Sequence, residues 1–180
     1  MMISMDEIFE QAKICGFDQW AALDPQELVF MPEVRDMCSA DLCHKYGTNW
    51  TCPPGCGPLE ELRDRALKYK RGILVQSVGK LEDEFDMESM YETEEVQKER
   101  FEKFAEWLRS VAPGCMPMGA GTCLLCKECT YPTSPCRHPD RAVPSMEACG
   151  LLVTDVCKKA GMKYYYGPCT ITFTSCALID

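Results

Sequence analysis

Residues 123 to 136 read Cys123-Leu-Leu-Cys126-Lys-Glu-Cys129-Thr-Tyr-Pro-Thr-Ser-Pro-Cys136. No other stretch constrains the fold as strongly, because thiols at this spacing oblige the backbone to curl around something. Three cysteines in consecutive x2 steps, with a fourth close behind, form the ligand arrangement of an iron–sulfur cubane. Structural zinc usually takes its thiolates as two separate pairs, a knuckle and a distant partner. A third thiolate three residues after the second is awkward for one tetrahedral ion, whereas a short curling loop reaches three iron corners. The spacing therefore predicts a [4Fe–4S] cluster held by Cys123, Cys126, Cys129 and Cys136, with zinc as the alternative. In ferredoxin-type runs the fourth cysteine follows three residues after the third and serves another cluster. Here it comes later, past Pro132 and Pro135, so one loop closes all four ligands on one cluster. No iron is then left open, which favours electron transfer or a structural role over Lewis-acid chemistry. Gly119, Gly121 and Thr122 are placed to offer backbone N–H groups to cluster sulfides, an arrangement that raises the potential.

A second constellation, Cys38-x4-Cys43-x8-Cys52-Pro-Pro-Gly-Cys56, is less regular. It predicts another metal site with Cys38, Cys43, Cys52 and Cys56 as ligands. Buried cysteines acting as small hydrophobes are the bland alternative, and the crowding with Pro53, Pro54, Gly55 and Gly57 counts against it. Cys56 is the weakest member. Without it, a three-cysteine cluster has one iron with an exchangeable position, and an electron relay becomes an enzyme that binds a small substrate. His44, beside Cys43, reads as a structural or surface residue, with a ligand or supporting donor as the alternative.

The other six cysteines have plainer readings. Cys149 and Cys157 on an expected helix, and Cys15 on an apolar helical face, read as core. Cys169 and Cys176 are an odd number apart, so one continuous strand would point them to opposite faces and deny them a shared metal. Cys115 reads as a spare ligand or resolving thiol. The patch Arg137-His138-Pro139-Asp140-Arg141 follows the last ligand directly and would offset thiolate charge, or else receive an anionic substrate. Tyr164, Tyr165 and Tyr166 read as packing residues.

Fourteen cysteines in 180 residues approach the density of a disulfide scaffold, but the N-terminus carries neither a basic region nor an apolar core of a signal peptide. The cysteines then read as metal ligands in a reducing cytoplasm, and exposed clusters favour a low-oxygen organism. No apolar run is long enough for a membrane span. The net charge of −9 argues against nucleic acid. The excess acid between Glu82 and Glu106 reads as a solvated helix face, or as a docking surface for a basic redox partner.

The length predicts one domain over 1–180, with cysteine-rich loops at 31–57 and 115–141. Helices are expected over 5–15, closed by Gly16, from Pro58 onward, over 88–111 and from Ser145 to about Lys159. In the third, Phe101, Phe104, Leu108 and Val111 form a core-facing stripe. Strands are expected over 17–23, 72–78, 162–166 and 170–178. The loop 31–57 is expected to hold at most short helical turns. The fold class is α/β or α+β, a single small mixed sheet flanked by helices with the metal loops at one edge.

Two motifs match a known family. Arg35-x2-Cys38-x4-Cys43-x2-Tyr46-Gly47-x2-Trp50-x-Cys52-Pro53-Pro54 resembles its first motif. Gly119-x-Gly121-x-Cys123-x2-Cys126-x2-Cys129, followed by Cys136-Arg137-His138-Pro139 and Pro144-Ser145-Met146-Glu147-Ala148, resembles its second. The chain from about Val34 onward is similar to the bacterial and archaeal family of predicted metal-binding proteins, domain of unknown function 2284. The resemblance implies a small cytoplasmic metal-binding, iron–sulfur type of protein of anaerobes, and supplies no reaction. The family's first motif is marked by three cysteines, which leaves Cys56 outside it. The reading is a protein with two [4Fe–4S] clusters that transfers single electrons to and from a redox partner. An enzyme with an open iron at the first cluster and a zinc-stapled binding module are the alternatives.

Overall fold

The computed structural model describes residues 3–180; Met1 and Met2, on which part of the N-terminal reading rests, lie outside them. The centre of the fold is the pair of long strands β2 (Arg71–Lys80) and β4 (Thr170–Ile179), antiparallel along their whole length from Arg71↔Ile179 to Lys80↔Thr170. The short strands β1 (Gln19–Leu23) and β3 (Met116–Met118) flank them, giving the order β1-β2-β4-β3. Every ladder is antiparallel, so the α+β form is the one adopted and the expected mixed sheet is not; the parallel pairing found is a lone bridge, Gly119↔Ser145.

The sheet is covered on both faces, which explains why Gly72-Ile-Leu-Val reads as a continuous apolar run. Alternate residues point to opposite sides. Ile73, Val75, Ala177 and Ile179 meet Ile8 and Ala12 of α1 (Met5–Ile14) and Phe101, Phe104 and Leu108 of α4 (Met87–Val111). Leu74, Cys176 and Leu178 meet Ala66 of α3 (Leu59–Ala66), Val156 and Cys157 of α5 (Val153–Lys159), and Met146, Cys149 and Leu151. The buried amide of Gln76 is satisfied on this second face: it donates to Lys163 O at 2.9 Å and accepts from the Tyr166 hydroxyl at 2.8 Å. The long helix α4 closes onto the sheet at Gly79, where a Cβ would lie 2.0 Å from Thr93 Oγ1. Glycine is required there by the approach of another element, not by its own backbone.

Several expectations need correction. The helix from Ser145 is confined to Val153–Lys159. Residues 145–151 instead form hydrogen-bonded turns, because their backbone groups are used elsewhere: Met146 N donates to Gly119 O and Gly150 O accepts from Met31 N. Residues 162–166 form no strand. Their backbone groups are used elsewhere: the Gln76 amide donates to Lys163 O, and Met162 N donates to Cys157 O. The loop 31–57 contains a true helix, α2 (Pro32–Ser39), with Cys38 in its last turn. Val111 ends α4 exposed, outside the apolar stripe. Cys149 and Cys157 are core residues, although not on one helix, and Cys115 is buried on the α4 face and lines neither cysteine-walled hollow. Cys169 lies outside β4, exposed and with φ 53°, while Cys176 is buried.

Candidate metal centres

The second cysteine loop leaves β3 and returns to α5 as a closed excursion with its feet tied together. Gly119 N donates to Pro144 O at 2.8 Å and Met146 N donates to Gly119 O at 3.0 Å. Between these feet Cys123, Cys126, Cys129 and Cys136 line one recess, with Arg137 and His138 on the same wall. The sulfurs already receive amide donors: His138 N–H points at Cys136 Sγ, with N···S 3.4 Å, and Leu125 N–H at Cys123. Burial pushes the Cys123 thiol up, the Leu125 amide pulls it down, and the other three cysteines push it up again. Several thiolates in one recess repel one another unless a cation arrives, and metal binding releases their protons. Arg137 is held over the loop by donating to Glu128 O at 2.8 Å. Arg141 is drawn elsewhere, to Glu102.

The first cysteine loop is shaped by short side chains. Asp41 Oδ1 accepts from Tyr46 N, and buried Asn49 accepts from both Thr51 N and Thr51 Oγ1. The loop leans on the second one through Trp50. Its indole N–H donates to Ser134 O at 3.1 Å and its ring meets Tyr131 edge-on at 4.9 Å. Asn49, Trp50 and Thr51 thereby complete the wall of the second loop's recess.

Cys38, Cys43 and Cys52 line a separate cavity of about 750 Å³. Its walls are mostly apolar, with Tyr46, Tyr91 and Leu124 among them, and a few polar groups converge on it: Thr122, Glu147, and the ion-paired Lys98 and Glu94. That volume and lining are those of a small-molecule site. Cys56 is not on this wall. It lines a different recess, and its thiol donates to Ala148 O at 3.7 Å. His44 is exposed and also off the wall.

Three further residues border these hollows, and of them the sequence pattern assigned a role only to Thr122, through its backbone N–H. Thr122 Oγ1 lies 3.6 Å from Cys52 Sγ and immediately precedes Cys123, so one hydroxyl joins the two ligand sets. Arg35 donates through Nη2 to Gly57 O, while its buried Nη1 has no hydrogen-bond partner among the described residues. Its positive charge acts on both Cys38 and Cys56. An orphaned buried cationic donor beside several thiols fits an anionic group held there. Glu147 opens onto the cavity, yet protein surrounds it closely enough that burial raises its pKa. The motif segments Arg35-x2-Cys38 and Pro144-Ser145-Met146-Glu147-Ala148 were the available signal for two of these. Among the described residues, no three His, Cys, Asp or Glu side chains are gathered tightly enough to hold one metal ion. No helix among them is long and apolar enough to cross a membrane.

An α+β sheet carrying two thiol-lined hollows is the architecture of a metal-binding protein. The chain belongs to the family described as predicted metal-binding protein (DUF2284), whose family model matches residues 21–179. No curated protein and no solved structure matches the chain.

Proposed function

We propose that the protein is an iron–sulfur redox protein with one closed and one open site. Cys123, Cys126, Cys129 and Cys136 would hold a closed [4Fe–4S] cluster, and Cys38, Cys43 and Cys52 a second one facing the cavity. Such clusters supply a reversible one-electron couple at each site and, at the second, an iron without a fourth cysteine. The chain's own residues supply the rest. Leu125 and His138 amides and Arg137 offset charge at the closed site, and Arg35 does so at the open one. The apolar cavity walls hold a small organic substrate and exclude water. The acidic first half of α4 beside the cavity suits a redox partner with a basic surface.

The carrying observation is the partition of the first loop's thiols: three face the cavity and Cys56 faces away. The test is metal and sulfide analysis of protein purified without oxygen. Iron and acid-labile sulfide in equal amounts, at a level of two cubanes per chain, is the expected result. Stoichiometric zinc without sulfide would sink the reading. In Cys56→Ala, iron, sulfide and the spectrum of the first cluster are expected to stay unchanged; loss of that cluster would restore Cys56 as a ligand and remove the open site.

The Thr122 hydroxyl gives a smaller, separable effect. A donor to a cluster thiolate favours the reduced, more negative state and so raises the potential. Thr122→Val keeps the shape and removes the donor. Taking a net hydrogen bond as about 1 kcal/mol acting on one oxidation state, the first cluster's potential should fall by about 40 mV. An anaerobic redox titration followed by electron paramagnetic resonance measures this, and an unchanged potential would remove Thr122 from the site.

A further inference from the structure

We infer that Glu147 is the fourth, exchangeable ligand of the cluster held by Cys38, Cys43 and Cys52. The inference rests on the iron–sulfur reading above and assigns the position that Cys56 leaves open. Glu147 lines the same cavity as the three cysteines. Its neighbours Met146 and Ala148 are buried, whereas Glu147 between them is exposed where this cavity and a second one beside Tyr164 meet, its carboxylate bonded by the Ser145 hydroxyl and its own amide.

The segment that carries it is held from several directions. Met146 N donates to Gly119 O, Gly150 N donates to Glu147 O at 2.8 Å, and Ala148 N donates to Ser145 Oγ at 3.0 Å. The Cys56 thiol donates to Ala148 O, so Cys56 supports the peptide next to Glu147 without joining the cavity wall. A side chain on such a fixed turn is pre-positioned as a ligand should be.

The surroundings leave the carboxylate without a cation. Lys98, on the same wall, is paired with Glu94, and Lys45 makes no ion pair with Glu147 among the described residues. Cys38 and Glu147 stand on the same wall, so thiolate and carboxylate would each call for a cation there. An iron between them resolves both demands. A carboxylate oxygen is a harder donor than thiolate, and iron accepts both. The oxygen is the more readily displaced of the two, which gives an incoming ligand with its own oxygen donor a place on that iron.

The test compares the wild type with Glu147→Ala, Glu147→Cys and Cys56→Ala, all purified anaerobically and then treated with ferricyanide. Iron, sulfide and the electron paramagnetic resonance signal of a three-iron cluster are the readouts. The wild type and Cys56→Ala are expected to retain full iron as purified and to lose one iron on oxidation. Glu147→Ala is expected to emerge already short of one iron relative to sulfide, with the three-iron signal present before oxidant is added. Glu147→Cys is expected to keep that iron through the oxidation, because a thiolate now holds it. Two results would overturn the assignment: full iron in Glu147→Ala as purified, or an iron missing from Cys56→Ala instead. A preparation with no sulfide in any variant would fail the iron–sulfur reading itself, a different outcome from either.

Discussion

Cys126→Ala is expected to remove the second cluster and leave the first, so that iron and sulfide both fall by roughly half. Cys126 sits in the middle of the run, on the wall of the recess shared with Cys123, Cys129 and Cys136. No thiol besides these four lines that recess among the described residues. Cys115, Cys149, Cys157 and Cys176 are buried in the two core groups on either side of the sheet. Three remaining thiolates would keep repelling one another around an incomplete cluster, and the binding free energy that orders the loop would be lost with it. The sheet should survive, since Gly119 and the 144–146 segment tie the feet of the loop by backbone hydrogen bonds alone. Far-ultraviolet circular dichroism is therefore expected to be unchanged while visible absorbance falls by about half. In the reduced wild type two nearby paramagnets should broaden one another, and Cys126→Ala should give a single simple resonance. Full iron content in this variant would remove the second loop from the ligand assignment.

The cysteine spacing names that effect in advance because the ligands of the second loop are local. Their grouping needs only the run from Cys123 to Cys136 and the turn residues within it. Strand β2 and the apolar stripe of α4 were legible for a similar reason: a continuous apolar run in the first and a helical stripe in the second are each contained in one segment. The exceptions depend on partners distant in the chain. Residues 162–166 have a strand-like composition, but their backbone is engaged by distant side chains and turns instead, Lys163 O by the Gln76 amide and Met162 N by Cys157 O. Residues 145–151 look helical until Gly119 and Met31 claim their backbone groups. The same holds within the site. Nothing near Cys56 in sequence says that its thiol turns to Ala148 O, nor that Glu147 arrives at the wall where Cys38, Cys43 and Cys52 stand. Those placements are set by the closure of the 119–146 excursion, which brings the two motif segments together.

That closure has a point of contact that tolerates no added atom, and Gly55→Ala is expected to disturb both sites through it. A Cβ at Gly55 would lie 2.5 Å from the backbone oxygen of Asn49 and 2.9 Å from Cε2 of Tyr131. The Tyr131 ring is in edge contact with Trp50, and the Asn49 carbonyl belongs to a turn whose Asn49 and Thr51 are both buried. Overpacking of this kind costs about 1 to 3 kcal/mol, which for a chain of this size lowers Tm by about 2 to 12 °C. The larger consequence is chemical. Asn49, Trp50 and Thr51 form part of the second recess, while Cys52 belongs to the first cavity. A shift of the 49–55 turn therefore moves a wall of one site and a ligand of the other. Gly55→Ala should lower iron and sulfide at both clusters, in contrast to Cys126→Ala, which should empty one. Gly47→Ala is the control: a Cβ there meets nothing within 4 Å, so only the strain of its positive φ is added. It should lower Tm modestly and leave both clusters filled. Equal iron contents in the two glycine variants would mean that the loops do not support one another across Gly55.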